Sequence, residues 1–165
     1  MSEILQIGNP VLRQVAKSVE MEKVASPEIQ NLIDQLLEMV ISRDGVGISA
    51  PQINHSLRII VVASRPNHRY PQAPFVPPMT MINPRIINHS SDLVEEEEGC
   101  LSVRDTRGSV LRYRAIELEY YNREGKLKIE IFQNFIARII QHEIDHLNGI
   151  LFVDRIQEKL TFQDK

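Results

Sequence analysis

The stretch Gln141 to Gly149, QHEIDHLNG, constrains this chain more than any other, because it sets two histidines four residues apart inside a segment of helical period. Asn134 starts that segment. Phe135, Ile139, His142 and His146 fall on one face of it, and Gly149 follows as the expected C-terminal cap. Residues four apart on a helix differ by about 40° around its axis, so both imidazoles can reach one ion, with Glu143 beside them. Alone, His-Glu-x-x-His is only moderately specific, since the same three residues also recur by chance on solvated helix faces. A catalytic metal needs a third protein ligand and an open position for water.

Cys100, within EEGCLSV, offers that ligand. It is the single cysteine of a 165-residue chain, so it forms no intrachain bridge, and a chain of this length buries enough apolar surface to fold without one. A lone thiol is usually an inert core residue. Two imidazoles and a thiolate, however, make a coherent three-ligand set, and Gly99 lets the backbone approach closely. Glu95, Glu96 and Glu97 read as a solvated acidic edge, whereas Glu98 is a candidate buried ion-pair partner for Arg112. Asp145 reads either as support for a metal-bound histidine or as an exposed helix residue, with exposure slightly favoured.

Around these residues, Ser26 caps an amphipathic helix from Pro27 to about Ser42, stopped near Gly45. Leu57 to Ala63 reads as a buried strand that enters a proline-rich loop from Ser64 to Met79. Val110 to Tyr113, Ala115 to Tyr121 and Lys126 to Phe132 read as short strands, the last two joined as a hairpin. The pieces on either side of the proline-rich loop are too small for separate cores, so one domain over residues 1–165 is expected. The expected fold class is α+β. It comprises mostly antiparallel sheet packed around the C-terminal helix that carries His-Glu-x-x-His, with the amphipathic helix at the N-terminal end. A net charge of −3 and a pI near 6.0 argue against direct nucleic-acid readout as the main task. No window is apolar enough to span a membrane and no leader segment is evident, so a cytoplasmic location is expected.

Three blocks together resemble the peptide deformylase family: GVGISAPQ at Gly45 to Gln52, EGCLS at Glu98 to Ser102, and QHEIDHLNG at Gln141 to Gly149. Shorter similarities, ILQIGNPVLR near the start and INPRI at Ile82 to Ile86, extend the resemblance over most of the chain. The resemblance implies that Cys100, His142 and His146 bind one divalent metal and that Glu143 is the general acid and base. It further implies that Gln52 and the Leu101 N–H stabilise an oxyanion, and that Arg107 lies along the substrate cleft. Val46, Gly47, Phe135 and Ile139 are expected to line a methionine pocket. The sequence departs from the commonest family pattern at Ser49, where alanine is frequent, and at Arg104 and Leu111, where proline is frequent.

The implied substrates are N-formylmethionyl peptides and nascent chains, and the implied products are formate and a free amino terminus. Imidazole and thiolate ligands suit Fe(II), Zn(II), Co(II) and Ni(II), and the resemblance favours Fe(II) in the cell. Two other readings stay open at this stage. One is a zincin-like metallopeptidase, which also uses His-Glu-x-x-His but with a distant histidine or glutamate as extra ligand. The other is a deformylase-like protein that binds without turnover. A ribosome contact through the tail Arg155 to Lys165 is likewise open.

Overall fold

Strand β2 (Ile59–Val62) explains the architecture, because its four residues are fully buried on both faces. In the computed structural model, which describes residues 3–156, β2 sits inside a five-stranded antiparallel sheet. The sheet runs β1 (Gly47–Ser49), β2, β3 (Met79–His89), β6 (Ala115–Tyr121) and β7 (Leu127–Gln133), in that spatial order. Strand side chains alternate between faces. Ile59, Val61 and Ile82 therefore pack with Ile29, Leu32, Ile33, Leu36 and Val40 of helix α1 (Pro27–Ser42). Ile60, Val62, Met81, Ile116 and Leu118 pack with Ala137, Ile139, Ile140 and Ile144 of helix α2 (Asn134–Leu147). A sheet covered on both faces needs an unbroken apolar run in its interior strand, as Ile59 to Ala63 supplies.

The two helices begin as their sequences dictate. The Ser26 hydroxyl accepts a hydrogen bond from the Ile29 N–H at 3.3 Å, and Pro27 occupies the first turn, where a missing N–H costs nothing. Gly149 ends the region after α2 at φ +74°, a conformation in which a side chain is strained, and a Cβ there would lie 2.5 Å from the Arg13 carbonyl oxygen.

A separate two-stranded antiparallel ribbon pairs β4 (Leu93–Cys100) with β5 (Val103–Tyr113). It turns tightly at Leu101 and Ser102, with Cys100 paired to Val103. The short helix α3 (Phe152–Arg155) follows, and Leu151, Phe152 and Ile156 pack beside Cys100, Val103 and Val110. The result is a mixed α+β structure with antiparallel sheets and few helices. The strand expected at Val110 to Tyr113 is only the end of the eleven-residue β5. The acidic run is part of a strand: Glu95, Glu96 and Glu97 are exposed on β4, whereas Glu98 is buried.

Candidate metal centre

Cys100 ends β4 just past a register shift between Gly99 and Cys100, and α2 supplies His142 and His146. A bulge of this kind re-aims a side chain. One ligand atom from each of the three residues lies within 4.8 Å of the others, and all three residues are buried. The Cys100 Sγ is 3.3 Å from His146 Nε2 and accepts from the Ser102 N–H at 3.4 Å. His142 Nδ1 lies 2.9 Å from Glu98 Oε1. An N–H at Nδ1 donating to that carboxylate leaves the Nε2 lone pair for an ion.

Those donors fit a single divalent cation. Two nitrogens and a sulfur account for three positions of a tetrahedral set and leave a fourth for water. Glu143 Oε1 is buried without a hydrogen-bond partner among the described residues, and Glu143 Oε2 lies 4.0 Å from His142 Nε2. Burial, reinforced by the Glu98 charge against the opposing pull of His142, pushes the Glu143 carboxyl up to about 7. Gly47 of β1 makes room for it, since a Cβ at that position would sit 2.8 Å from Glu143 Oε2 and 2.6 Å from Ile139 Cγ2.

Beneath the ligands lies a buried ionic network. Glu98 receives two hydrogen bonds of 2.9 Å from Arg112 and one of 2.5 Å from Arg138. Burial alone would raise its pKa, but the Arg112 and His142 hydrogen bonds outweigh burial and hold it below the usual carboxylate range. Burial would lower Arg112, yet Glu98 and Asp145 raise it. Burial also opposes charge on His142, and there the Cys100 sulfur and Glu98 prevail and raise it. His146 is pushed down by burial and by the charges on His142 and Arg112. Arg112 donates to Asp145 at 2.6 Å and Arg155 donates to it at 2.5 Å. The expected exposure of Asp145 is thus corrected: it is 6% exposed, held inward by two guanidinium groups. Arg138, buried and bonded to Glu98 and to the Val110 and Val94 carbonyls, was not anticipated either. A charged residue flanked by Ala137 and Ile139 was its only signal.

Because Glu98 compensates Arg112 and Arg138 in a buried setting, Glu98→Ala is expected to destabilise the protein by about 3–5 kcal/mol. Urea unfolding of both proteins at one pH checks this, and a loss below about 1 kcal/mol would mean that solvent screens the network.

Gln52 stands at the end of the 3-10 turn that follows β1. Its Oε1 accepts from the Ser49 N–H at 2.9 Å and from the Ser49 hydroxyl at 3.0 Å. Its Nε2 therefore faces Ser102 Oγ at 3.0 Å and the Cys100 sulfur at 3.8 Å. Ser49, read from sequence only as a departure, fixes the direction of this amide. Gln52, Cys100, Leu101, His142 and Glu143 line one pocket. Val46, Gly47, Phe135 and Ile139 form its less polar wall. Arg107 lines the adjoining cavity and donates at 2.7 Å to Glu97, a residue of the pocket wall.

The proline-rich loop also reaches the pocket, which its composition gave no reason to expect. Its Tyr70 hydroxyl accepts from the Gly99 N–H at 3.1 Å, and its ring lies 5.4 Å from that of Phe135. The Arg107 guanidinium covers the same ring at 4.9 Å.

The model of the polypeptide deformylase family matches residues 1–161. Peptide deformylase 2 of Nostoc sp. is 51% identical over 158 residues, covering 96% of this chain and 87% of the relative. Among solved structures, the class I type b peptide deformylase of Acinetobacter baumannii with Met-Ala-Ser bound superposes with a TM-score of 0.92. It shares 44% identity and covers 94% of this chain and 98% of that one. The Thermotoga maritima peptide deformylase gives a TM-score of 0.82 at 33% identity, over 94% and 97% of the two chains.

Proposed function

This chain belongs to the polypeptide deformylase family, a hydrolase family that removes the N-formyl group from the formylmethionine of new polypeptides, and we propose which of its residues do so. One observation carries the proposal. Three buried metal-ligating atoms lie within 4.8 Å of one another beside a buried carboxylate oxygen that has no partner among the described residues.

In this reading Cys100 Sγ and the Nε2 atoms of His142 and His146 hold one divalent cation, with Fe(II) proposed in the cell and Zn(II), Ni(II) or Co(II) able to replace it. The cation supplies Lewis acidity, which makes water nucleophilic near neutral pH and polarises the formyl carbonyl. Glu143 accepts the proton of the attacking water through its free oxygen. Once protonated, the same carboxyl can return that proton to the departing amine nitrogen. The negative charge that develops on the formyl oxygen is met by the Gln52 Nε2 donor and the Leu101 N–H, neither of which adds a titratable group. Ser49 keeps that amide from rotating. Val46, Phe135 and Ile139 offer the apolar surface that suits an unbranched thioether side chain, and Gly47 keeps β1 close to Glu143.

The same proposal treats the chain as one catalytic domain, with sheets packed around the His-Glu-x-x-His helix, working in the cytoplasm on formylmethionyl peptides and nascent chains. No described helix is long and apolar enough to cross a membrane. The bound Met-Ala-Ser of the Acinetobacter baumannii relative supports a short peptide as ligand of this cleft. A ribosome contact through the tail belongs to the proposal as well, although residues 157–165 lie outside those described.

Formate release from a formyl-Met peptide, against an acetyl-Met peptide as control, tests the activity, with metal content measured on the same sample. Cleavage inside the peptide without formate would instead support a metallopeptidase. Gln52→Leu retains bulk and removes the donor, and is expected to lower the rate by about 10² to 10³ fold with metal content unchanged. An unaltered rate would mean that Gln52 only packs.

A further inference from the structure

The pocket at the metal centre adjoins a second cavity, the two sharing Arg69, Cys100 and Leu101 in their walls. Arg43, Arg104, Arg107 and Asp105 also line this annex, so four arginines stand against a single acidic residue in a chain whose net charge is −3. They arrive from separate places: Arg43 caps the end of α1, Arg69 lies in the proline-rich loop, and Arg104 and Arg107 belong to β5. Arg107 is already paired with Glu97, and Arg69 rests over the Tyr70 ring at 5.5 Å. Among the described residues no carboxylate pairs with Arg43, Arg69 or Arg104. Elsewhere on the surface Arg13, Arg85 and Arg114 each have one.

Guanidinium groups gathered in a concave wall with few counter-charges create a positive field that attracts anions, and their planar forks match carboxylates. A peptide whose formyl group met the cation would extend its following residues out of the pocket, and the shared Arg69, Cys100 and Leu101 place the annex beside that path. Resting on the deformylase reading above, we propose that the annex makes this enzyme selective for substrates with acidic side chains in the residues after the formylated one, with Arg43, Arg69 and Arg104 as the selecting groups.

The test uses metal-loaded enzyme and C-terminally amidated formyl-Met tripeptides, so that the terminal carboxylate cannot imitate an acidic side chain. Glu, Ser or Lys is placed in turn at the second and third positions. Because exposed charge pairs are individually weak, the three arginines together are expected to favour Glu over Lys by roughly 5- to 20-fold in kcat/KM at one of these positions. The difference should lie in KM rather than kcat, and should shrink towards unity as ionic strength rises to 1 M. Arg104→Glu and Arg43→Glu, both at exposed positions, should each lower the Glu-to-Lys ratio. Equal kcat/KM for Glu and Lys peptides at both positions, or a ratio that neither variant moves, would overturn the selectivity while leaving the deformylase reading intact. No formate from any peptide, the Ser peptides included, would overturn both.

Discussion

Glu143→Gln is expected to lower formate release by about 10² to 10⁴ fold while leaving metal stoichiometry unchanged. The change preserves volume and hydrogen-bonding reach and removes the group assigned to accept the proton of water and return it to the amine. The loss grows if both transfers depend on this carboxylate. If Glu143 were a helix residue with no part in the chemistry, activity would fall little and stability would change instead. Near-normal turnover by the fully metallated variant would overturn the assignment. A second measurement exploits the buried position. In metal-free protein the Glu143 pKa lies at about 7, above the ordinary 4.5, chiefly because burial penalises the charged form. Its contribution to stability is then fully present below about pH 4.5 and is lost as pH rises through 7, on the order of 3 kcal/mol. Metal-free Glu143→Gln should therefore unfold at a higher temperature than the metal-free parent at pH 8, and the two should converge below pH 4.5. A constant difference across that range would mean that the Glu143 pKa is the same in the folded and the unfolded protein.

The parts legible in the sequence were those whose physics is local. Ser26, Pro27 and the apolar period mark α1 at both ends, and a run as apolar as Leu57 to Ala63 is intelligible only as a strand covered on both sides. The metal-ligating trio was legible because helical spacing relates His142 to His146 and because the chain holds a single cysteine. What escaped depends on pairing across the chain. β4 was hidden because three of its glutamates are solvated and the fourth, Glu98, becomes tolerable only when Arg112 and Arg138 arrive from β5 and α2. Asp145 was misjudged for the same reason, since a helical wheel says nothing about guanidinium groups approaching from outside the helix. The loop that carries Arg69 and Tyr70 gave no sign of its destination, because its prolines report a break in regular structure and not the surface on which the chain comes to rest.

That buried network bears on the chemistry as well as on stability. Glu98 is at once the acceptor for His142 Nδ1 and a counter-charge for two arginines, so the imidazole is oriented by a carboxylate that cannot swing away without breaking its ion pairs to two buried guanidinium groups. A site built in this way presents its donors in one geometry before any ion arrives.

His142→Ala or His146→Ala should abolish tight metal binding, because one imidazole and one thiolate cannot compete with water for a divalent cation. The histidines are buried, at 8% and 1% exposure, so truncation also leaves a cavity, and metal loss must be separated from unfolding. Circular dichroism on the same preparation shows whether the fold persists, and Cys100→Ser supplies a variant of nearly unchanged volume whose hydroxyl is a poor ligand for these ions. Each purified protein is loaded with excess Zn(II), passed over a desalting column, and its metal measured beside its formate release. The parent should retain about one ion per chain, since a three-ligand site holds zinc through desalting, and the folded variants far less. If only the histidine variants lose the ion while Cys100→Ser retains it fully, the thiolate is not a ligand and a different residue completes the site. Full occupancy with unchanged turnover in either histidine variant would remove that histidine from the metal centre.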